Sequence, residues 1–138
     1  MSPAVAPALL DTDILSAVMR QAPRAVAHAQ AYLAIHHRFT FSLITRYEIL
    51  RGLHAKRATT QLAAFDRLCN VSTVVPLTDA IVNRAATIYA ELHQRGLLIG
   101  DADILIAATS FDQGLVLVTN NEQHYRRIAG IQLLNWLT

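Results

Sequence analysis

Apolar residues in this chain fall into short blocks separated by polar, turn-forming residues. Ala8-Leu9-Leu10 is an apolar run that stops at Asp11 and predicts a buried first strand. The spacing after it predicts a short helix over 13–20. Pro23 closes that region and suits the first turn of a second helix, reaching about His37. Phe39-Thr40-Phe41 is aromatic and β-branched, which favours a second strand. Ser42 suits the cap of a helix with Leu43, Tyr47, Leu50 and His54 on one face. Gly52 inside it costs about 1 kcal/mol relative to Ala.

A further helix fits 59–68, and a third strand fits 72–75, closed by Pro76. The clearest helical pattern follows. Thr78 caps it, Ile81, Ala85, Ile88 and Leu92 line one face, and Gly96 stops it. Gly100-Asp101-Ala102-Asp103 precedes a helix over 104–111, with Asp101 its expected cap. Leu115-Val116-Leu117-Val118-Thr119 is the strongest strand signal. A helical turn over 122–127 and a last strand over 131–134 complete the chain. Strands alternating with helices predict an α/β domain with a mostly parallel sheet and helices on both faces. No repeat, low-complexity stretch or linker divides the sequence, so a single domain over 1–138 is expected, with residues 1–7 a flexible tail.

Composition changes this picture in two ways. Apolar residues make up 53% and charged residues only 16%, against about 25% charged in an average soluble domain. Such a chain has much to bury, in a sheet covered on both faces or at a subunit interface. The formal charge of +2 is too small to name a partner. The single cysteine, Cys69, excludes a disulfide scaffold and fits a reducing compartment. Met1 to Pro7 lacks the pattern of a signal peptide, and no apolar run approaches a membrane span, so a cytoplasmic protein is expected.

The candidate chemistry is carboxylate. In open α/β sheets the ligand site lies beyond the carboxyl ends of the strands. Asp11 follows the first strand, Glu48 lies on the helix after the second, and Thr119-Asn120-Asn121-Glu122 follows the strongest strand. Asp101 and Asp103 open a helix. Converging carboxylates suit hard cations such as Mg²⁺ or Mn²⁺, which prefer oxygen ligands and assist phosphodiester hydrolysis. No Cys/His cluster or Gly-rich phosphate loop offers an alternative. Each acid also has a plainer role. Asp11 and Asp13 suit helix caps, Asp101 and Asp103 suit a helix N-terminus, and Glu48 suits an ion pair with Arg51. Arg46, Arg51, Lys56 and Arg57 lie around Glu48 and are candidate phosphate contacts; a solvated helix face is the plainer reading. The six histidines show no ligand spacing.

In this order and spacing the pieces resemble the PIN-domain ribonucleases, and within them the VapC toxins of bacterial toxin–antitoxin pairs. They are Leu9-Leu10-Asp11-Thr12-Asp13, Ser42 with Tyr47-Glu48-Ile49-Leu50-Arg51-Gly52, Ile99 to Ala108, Val118-Thr119-Asn120-Asn121, and Ile131 to Trp136. The resemblance covers nearly the whole chain after the tail. It implies a PIN-like α/β/α sandwich and a Mg²⁺- or Mn²⁺-binding pocket of Asp11, Glu48 and Asp103, with Asp101 as an extra carboxylate. It also implies hydrolysis of RNA, with transfer RNA a candidate substrate, a homodimer, and a cognate antitoxin of the VapB kind that occludes the pocket. The fourth acidic position falls at Asn121, an amide, which leaves the number of metals open. Glu122 is a candidate replacement, Thr119 a candidate to orient water, and Asp13 a supporting acid. Tyr125 stands where the family often packs a Phe.

Two alternatives compete. A haloacid-dehalogenase-like phosphatase would use Asp11-Thr12-Asp13, but Leu15 stands where that family wants Thr or Val, and Lys56, the only lysine, is misplaced. A catalytically inert PIN-like module binding RNA or a partner is favoured by Asn121 and opposed by Asp11, Glu48 and Asp103.

Overall fold

The computed structural model describes residues 5–138. The chain runs β1 (Ala8–Leu10), α1 (Thr12–Met19), α2 (Pro23–His36), β2 (Thr40–Ser42), α3 (Leu43–Ala55), α4 (Thr59–Asn70), β3 (Thr73–Val75), α5 (Asp79–Gln94), α6 (Asp101–Gln113), β4 (Val116–Val118), α7 (Glu122–Tyr125) and β5 (Leu133–Leu134). Every strand pairing is parallel. β4 lies between β1 and β5, with Leu9 opposite Leu117, and β2 pairs separately with β3, with Phe41 opposite Val74. The single sheet expected from the sequence is thus a three-stranded and a two-stranded ladder, with β1 packed beside β2.

Period-two alternation along the short strands sends side chains to two separate cores. Leu9 and Leu117 join Ile81, Ile88, Leu92, Ile104 and Tyr125, on the α5–α6 side. Ala8, Leu10 and Val118 join Ile14, Phe41, Phe65 and Trp136, on the side of α1 to α4. Both faces of the strands are therefore covered, the α/β sandwich that the alternating pattern predicts. Trp136 reaches from the C-terminal segment into the second core beside Tyr32 and Phe39.

Most of the sequence signals act as expected. Thr78 Oγ1 accepts the Ile81 amide at 3.2 Å, Ile81, Ala85, Ile88 and Leu92 are buried, and Gly96 takes φ +66° just beyond α5. Three expectations need correction. α3 buries Thr45 and Ile49 rather than the Leu43/Tyr47 face, because its inward side is the one packed against α1 and α6; Leu43 and Tyr47 are exposed. The cap of α6 is Gly100, with no side-chain bond, so Asp101 and Asp103 both fall inside its first turn. Asp13 is likewise a first-turn residue, because Asp11 caps α1. Of the expected tail, residues 1–4 lie outside the described residues. The Val5 carbonyl meets His36 Nε2, and the Pro7 carbonyl accepts the Val116 amide at 3.2 Å. Among the described residues no helix is long and apolar enough to cross a membrane.

Candidate functional site

β1 and β4 are adjacent and parallel, so the chain leaves both at the same edge. The residues just past them meet there: the Asp11 amide bonds the Val118 carbonyl at 2.9 Å, and the Thr119 hydroxyl donates to Asp11 Oδ2 at 2.8 Å. The other Asp11 oxygen accepts the Thr12 amide at 2.8 Å. Asp11 is only 5% exposed and Thr119 is fully buried. Asp11 is thus a helix cap, one of the two sequence readings of it, and a buried acid held at each oxygen.

Asp103 reaches the same place from the first turn of α6. The hydroxyl of fully buried Tyr125 donates to its Oδ1 at 3.2 Å. This Tyr is more than the packing residue expected, since its hydroxyl orients a site carboxylate. Asp13 accepts the Asn120 amide at 3.0 Å through Oδ2, while its Oδ1 is buried with no hydrogen-bond partner. Glu48 comes from α3. Thr12 Oγ1 lies 2.6 Å from Glu48 Oε1 and 3.1 Å from Thr45 Oγ1, and Arg51 stands 3.6 Å from Glu48 Oε2.

The electrostatics divide these acids. Burial, then the neighbouring charge of Asp13, raises the Asp11 carboxyl from 3.8 to about 7 against the hydrogen bonds of Thr119 and Thr12. Burial also raises Asp13 and Asp103; the Tyr125 hydrogen bond opposes the rise at Asp103, and the Glu48 charge adds to it. Burial and the charges of Asp11 and Asp103 push the Tyr125 hydroxyl far up, so it remains a donor. Among the described residues no Lys, Arg or His forms an ion pair with Asp11, Asp13 or Asp103. The one opposing charge felt by this acidic group among the described residues is that of His124, which acts on Asp103 without forming an ion pair.

Among the described residues no three Asp, Glu, His or Cys side chains converge tightly enough, as placed, to grip one metal ion. The donor set nonetheless suits a hard cation: all its ligating atoms are oxygens, and the buried Asp13 Oδ1 lacks any partner. Asp101 is exposed at the start of α6 and makes no hydrogen bond or ion pair among the described residues, so it is not drawn into the cluster. Glu122 Oε1 meets Arg126 and its Oε2 meets Asn135, both at 3.2 Å. The Asn121 amide donates to Thr119 Oγ1 at 2.9 Å, and its Nδ2 lies 2.9 Å from His124 Nδ1.

Of the candidate cations, Arg51 stands over the Tyr47 ring at 5.3 Å beside Glu48, whereas Arg46 lies against Cys69 of α4. There its charge opposes the upward push of burial on the thiol. Exposed Lys56 lines a groove of about 700 Å³ running between α1, α3 and α4. The lining of this groove includes Thr12 and Glu48 but neither Asp11 nor Asp103. Sequence reasoning missed Thr12 and Thr45. The only available signal was their placement, Thr12 between two acids and Thr45 three residues before Glu48 on the same helical face.

Comparisons with known proteins agree with this architecture. The PIN domain family model matches residues 8–131. A ribonuclease VapC1 of Methanocaldococcus jannaschii is 33% identical over 87 residues, 63% of this chain and 62% of that protein. A tRNA(fMet)-specific endonuclease VapC of Shigella flexneri is 25% identical over 129 residues, covering 93% of this chain and 96% of that one. Among solved structures, the DNA-bound VapBC of Salmonella typhimurium superposes with a TM-score of 0.85 at 26% identity, over 95% of this chain and 98% of that one.

Proposed function

The chain belongs to the PIN domain family, and from that premise we propose that it is a metal-dependent endoribonuclease of the VapC toxin type, neutralised by a cognate antitoxin. The observation that carries the reading is the group of Asp11, Asp13 and Asp103 gathered at the carboxyl ends of parallel strands, Asp11 buried and the other two half-buried, with no ion-pair partner among the described residues and with Glu48 beside it. Mg²⁺ or Mn²⁺, when bound, supplies the Lewis acidity that makes water a competent nucleophile and offsets charge on the phosphate.

The chain's own residues supply the rest. Asp11, Asp103 and Glu48 would hold the cation through their carboxylate oxygens. Thr119 fixes the orientation of Asp11, Tyr125 that of Asp103, and Thr12 that of Glu48. Arg51 and Lys56 face the approach to Glu48 and offer cations to RNA phosphates. No side-chain nucleophile is needed: water attacks phosphorus and the P–O3′ bond breaks with the 3′ oxygen leaving and taking up a proton, so the products carry a 5′-phosphate and a 3′-hydroxyl. Single-stranded or loop RNA fits a site at the surface end of the strands, and transfer RNA is the class that the Shigella relative's name supports. A partner segment lying in the α1–α3–α4 groove covers Glu48 and Thr12, which accounts for neutralisation. We place the protein in the cytoplasm as a homodimer.

The test is cleavage of an RNA panel by antitoxin-free protein with Mg²⁺ or Mn²⁺, with 5′ ends mapped and Asp103→Asn as control. Metal-dependent cuts absent from the variant support the proposal. No cleavage by the wild type with either metal overturns it in favour of an inert binding module, and phosphate release from small phosphomonoesters overturns it in favour of a phosphatase.

A further inference from the structure

The fourth corner of the carboxylate pocket is an amide, Asn121, and two nearby acids compete to replace it. Glu122 is engaged elsewhere: one carboxylate oxygen meets Arg126 and the other accepts from Asn135. Asn121 itself is committed through its side chain to His124. Asp13 differs from both. It stands in the first turn of α1, two residues after Asp11. Its Oδ2 accepts the Asn120 amide at 3.0 Å, so it is tied to the very loop that carries Asn121. Its Oδ1 is buried without a hydrogen-bond partner, and among the described residues no cation pairs with it.

A carboxylate oxygen withdrawn from water and given no donor is costly unless a cation meets it. The orphaned oxygen belongs to a side chain fixed at its other end, beside an acid held at both of its own oxygens. In the α1 turn the Ile14 amide and the residue's own amide also face the Asp13 carboxylate, yet Oδ1 forms no hydrogen bond with either. We propose that Asp13 supplies the fourth carboxylate of the divalent-cation site, restoring the charge that Asn121 lacks. The inference rests on the cation-dependent reading of the pocket given above. It moves the missing acid from the loop after β4 to the first turn of α1.

The test is Mn²⁺ binding to antitoxin-free protein, read by calorimetry and by Mn²⁺ electron paramagnetic resonance, neither of which needs turnover. Asp13→Asn is expected to weaken binding by about tenfold or more, as removal of one charged ligand does. Adding Asn121→Asp to that variant is expected to recover most of the loss, because the charge returns at the neighbouring corner. Thermal unfolding of each variant without metal establishes that it is folded. Wild-type affinity in Asp13→Asn overturns the proposal, as does a loss that Asn121→Asp does not recover. A loss in Glu122→Gln as large as that in Asp13→Asn also overturns it, by giving the corner to Glu122. If wild type binds Mn²⁺ and Asp103→Asn does not, while Asp13→Asn binds normally, only the Asp13 assignment fails. If wild type binds no Mn²⁺, the cation-dependent reading fails with it.

Discussion

The two sides of the pocket are built on different physics. On the β1–β4 side, Asp11 and Asp103 are backed by Thr119 and Tyr125, both fully buried, and no ion pair reaches either acid among the described residues. On the α3 side, the Glu48 side chain keeps 20% exposure, leans on the Thr12 hydroxyl and has Arg51 at 3.6 Å. The first side holds charge at the expense of stability. The second is half-buried and has a cation beside it. Changes on the buried side should therefore act strongly on both chemistry and folding, and changes on the open side weakly and mainly on chemistry.

The largest effect is expected from Asp103→Asn. RNA cleavage should fall by roughly a thousandfold, the scale on which loss of one charge-stabilising group acts in a preorganised site, measured as initial rates on a defined RNA. Retention of more than a tenth of the wild-type rate would erase the distinction between the two sides.

The pH dependence of folding comes next. The Asp11 carboxyl ionises near 3.8 in the unfolded chain and near 7 when buried. Between those values the folded state holds a proton that the unfolded state has lost, so stability falls as pH rises through the window. Below pH 4 this group costs nothing, and above pH 7 it costs on the order of 4 kcal/mol in metal-free protein. Asp11→Asn should remove this slope, as seen by comparing chemical denaturation of the two proteins at pH 4.5 and 7.5.

Smaller effects belong to the open side. Thr12→Val takes away the hydroxyl beside Glu48 and should lower cleavage by about tenfold, with a stability change near 1 kcal/mol, typical of a single hydrogen bond. Arg51→Ala removes a solvent-exposed ion pair worth about 0–1 kcal/mol. It should leave the melting temperature nearly unchanged while raising KM for RNA a few-fold, an effect that fades at high salt. A large loss of stability in either variant would show the α3 side to be as buried in energy as the β1–β4 side is in space.

The division between these sides was only partly legible in the sequence. Ala8-Leu9-Leu10 before Asp11 and the Thr78-to-Gly96 helix were readable because each signal is local: an apolar run ended by an acid, and a 3.6-residue stripe between a cap and a stop. The acids at the strand ends followed from the parallel α/β pattern. What stayed hidden depends on contacts across the chain. Thr12 meets Glu48 across 36 positions and Thr119 meets Asp11 across 108, and no local pattern encodes either. The inward face of α3 was misread because its buried positions include Thr45, a polar residue whose hydroxyl is satisfied by Thr12. The start of α6 was misplaced because Gly100 caps it without a side chain, leaving Asp101 and Asp103 free to differ: one exposed, one turned to Tyr125.

The central claim is that the buried side is an acidic corner completed by a cation, and thermal unfolding at pH 7.5 tests it most directly. Without metal, Asp11→Asn should melt above the wild type, since the amide needs no counter-charge. Saturating Mn²⁺ should raise the wild-type midpoint by roughly 5 °C or more and move Asp11→Asn far less. A variant that melts below the wild type without metal, and gains as much from Mn²⁺, would contradict the account.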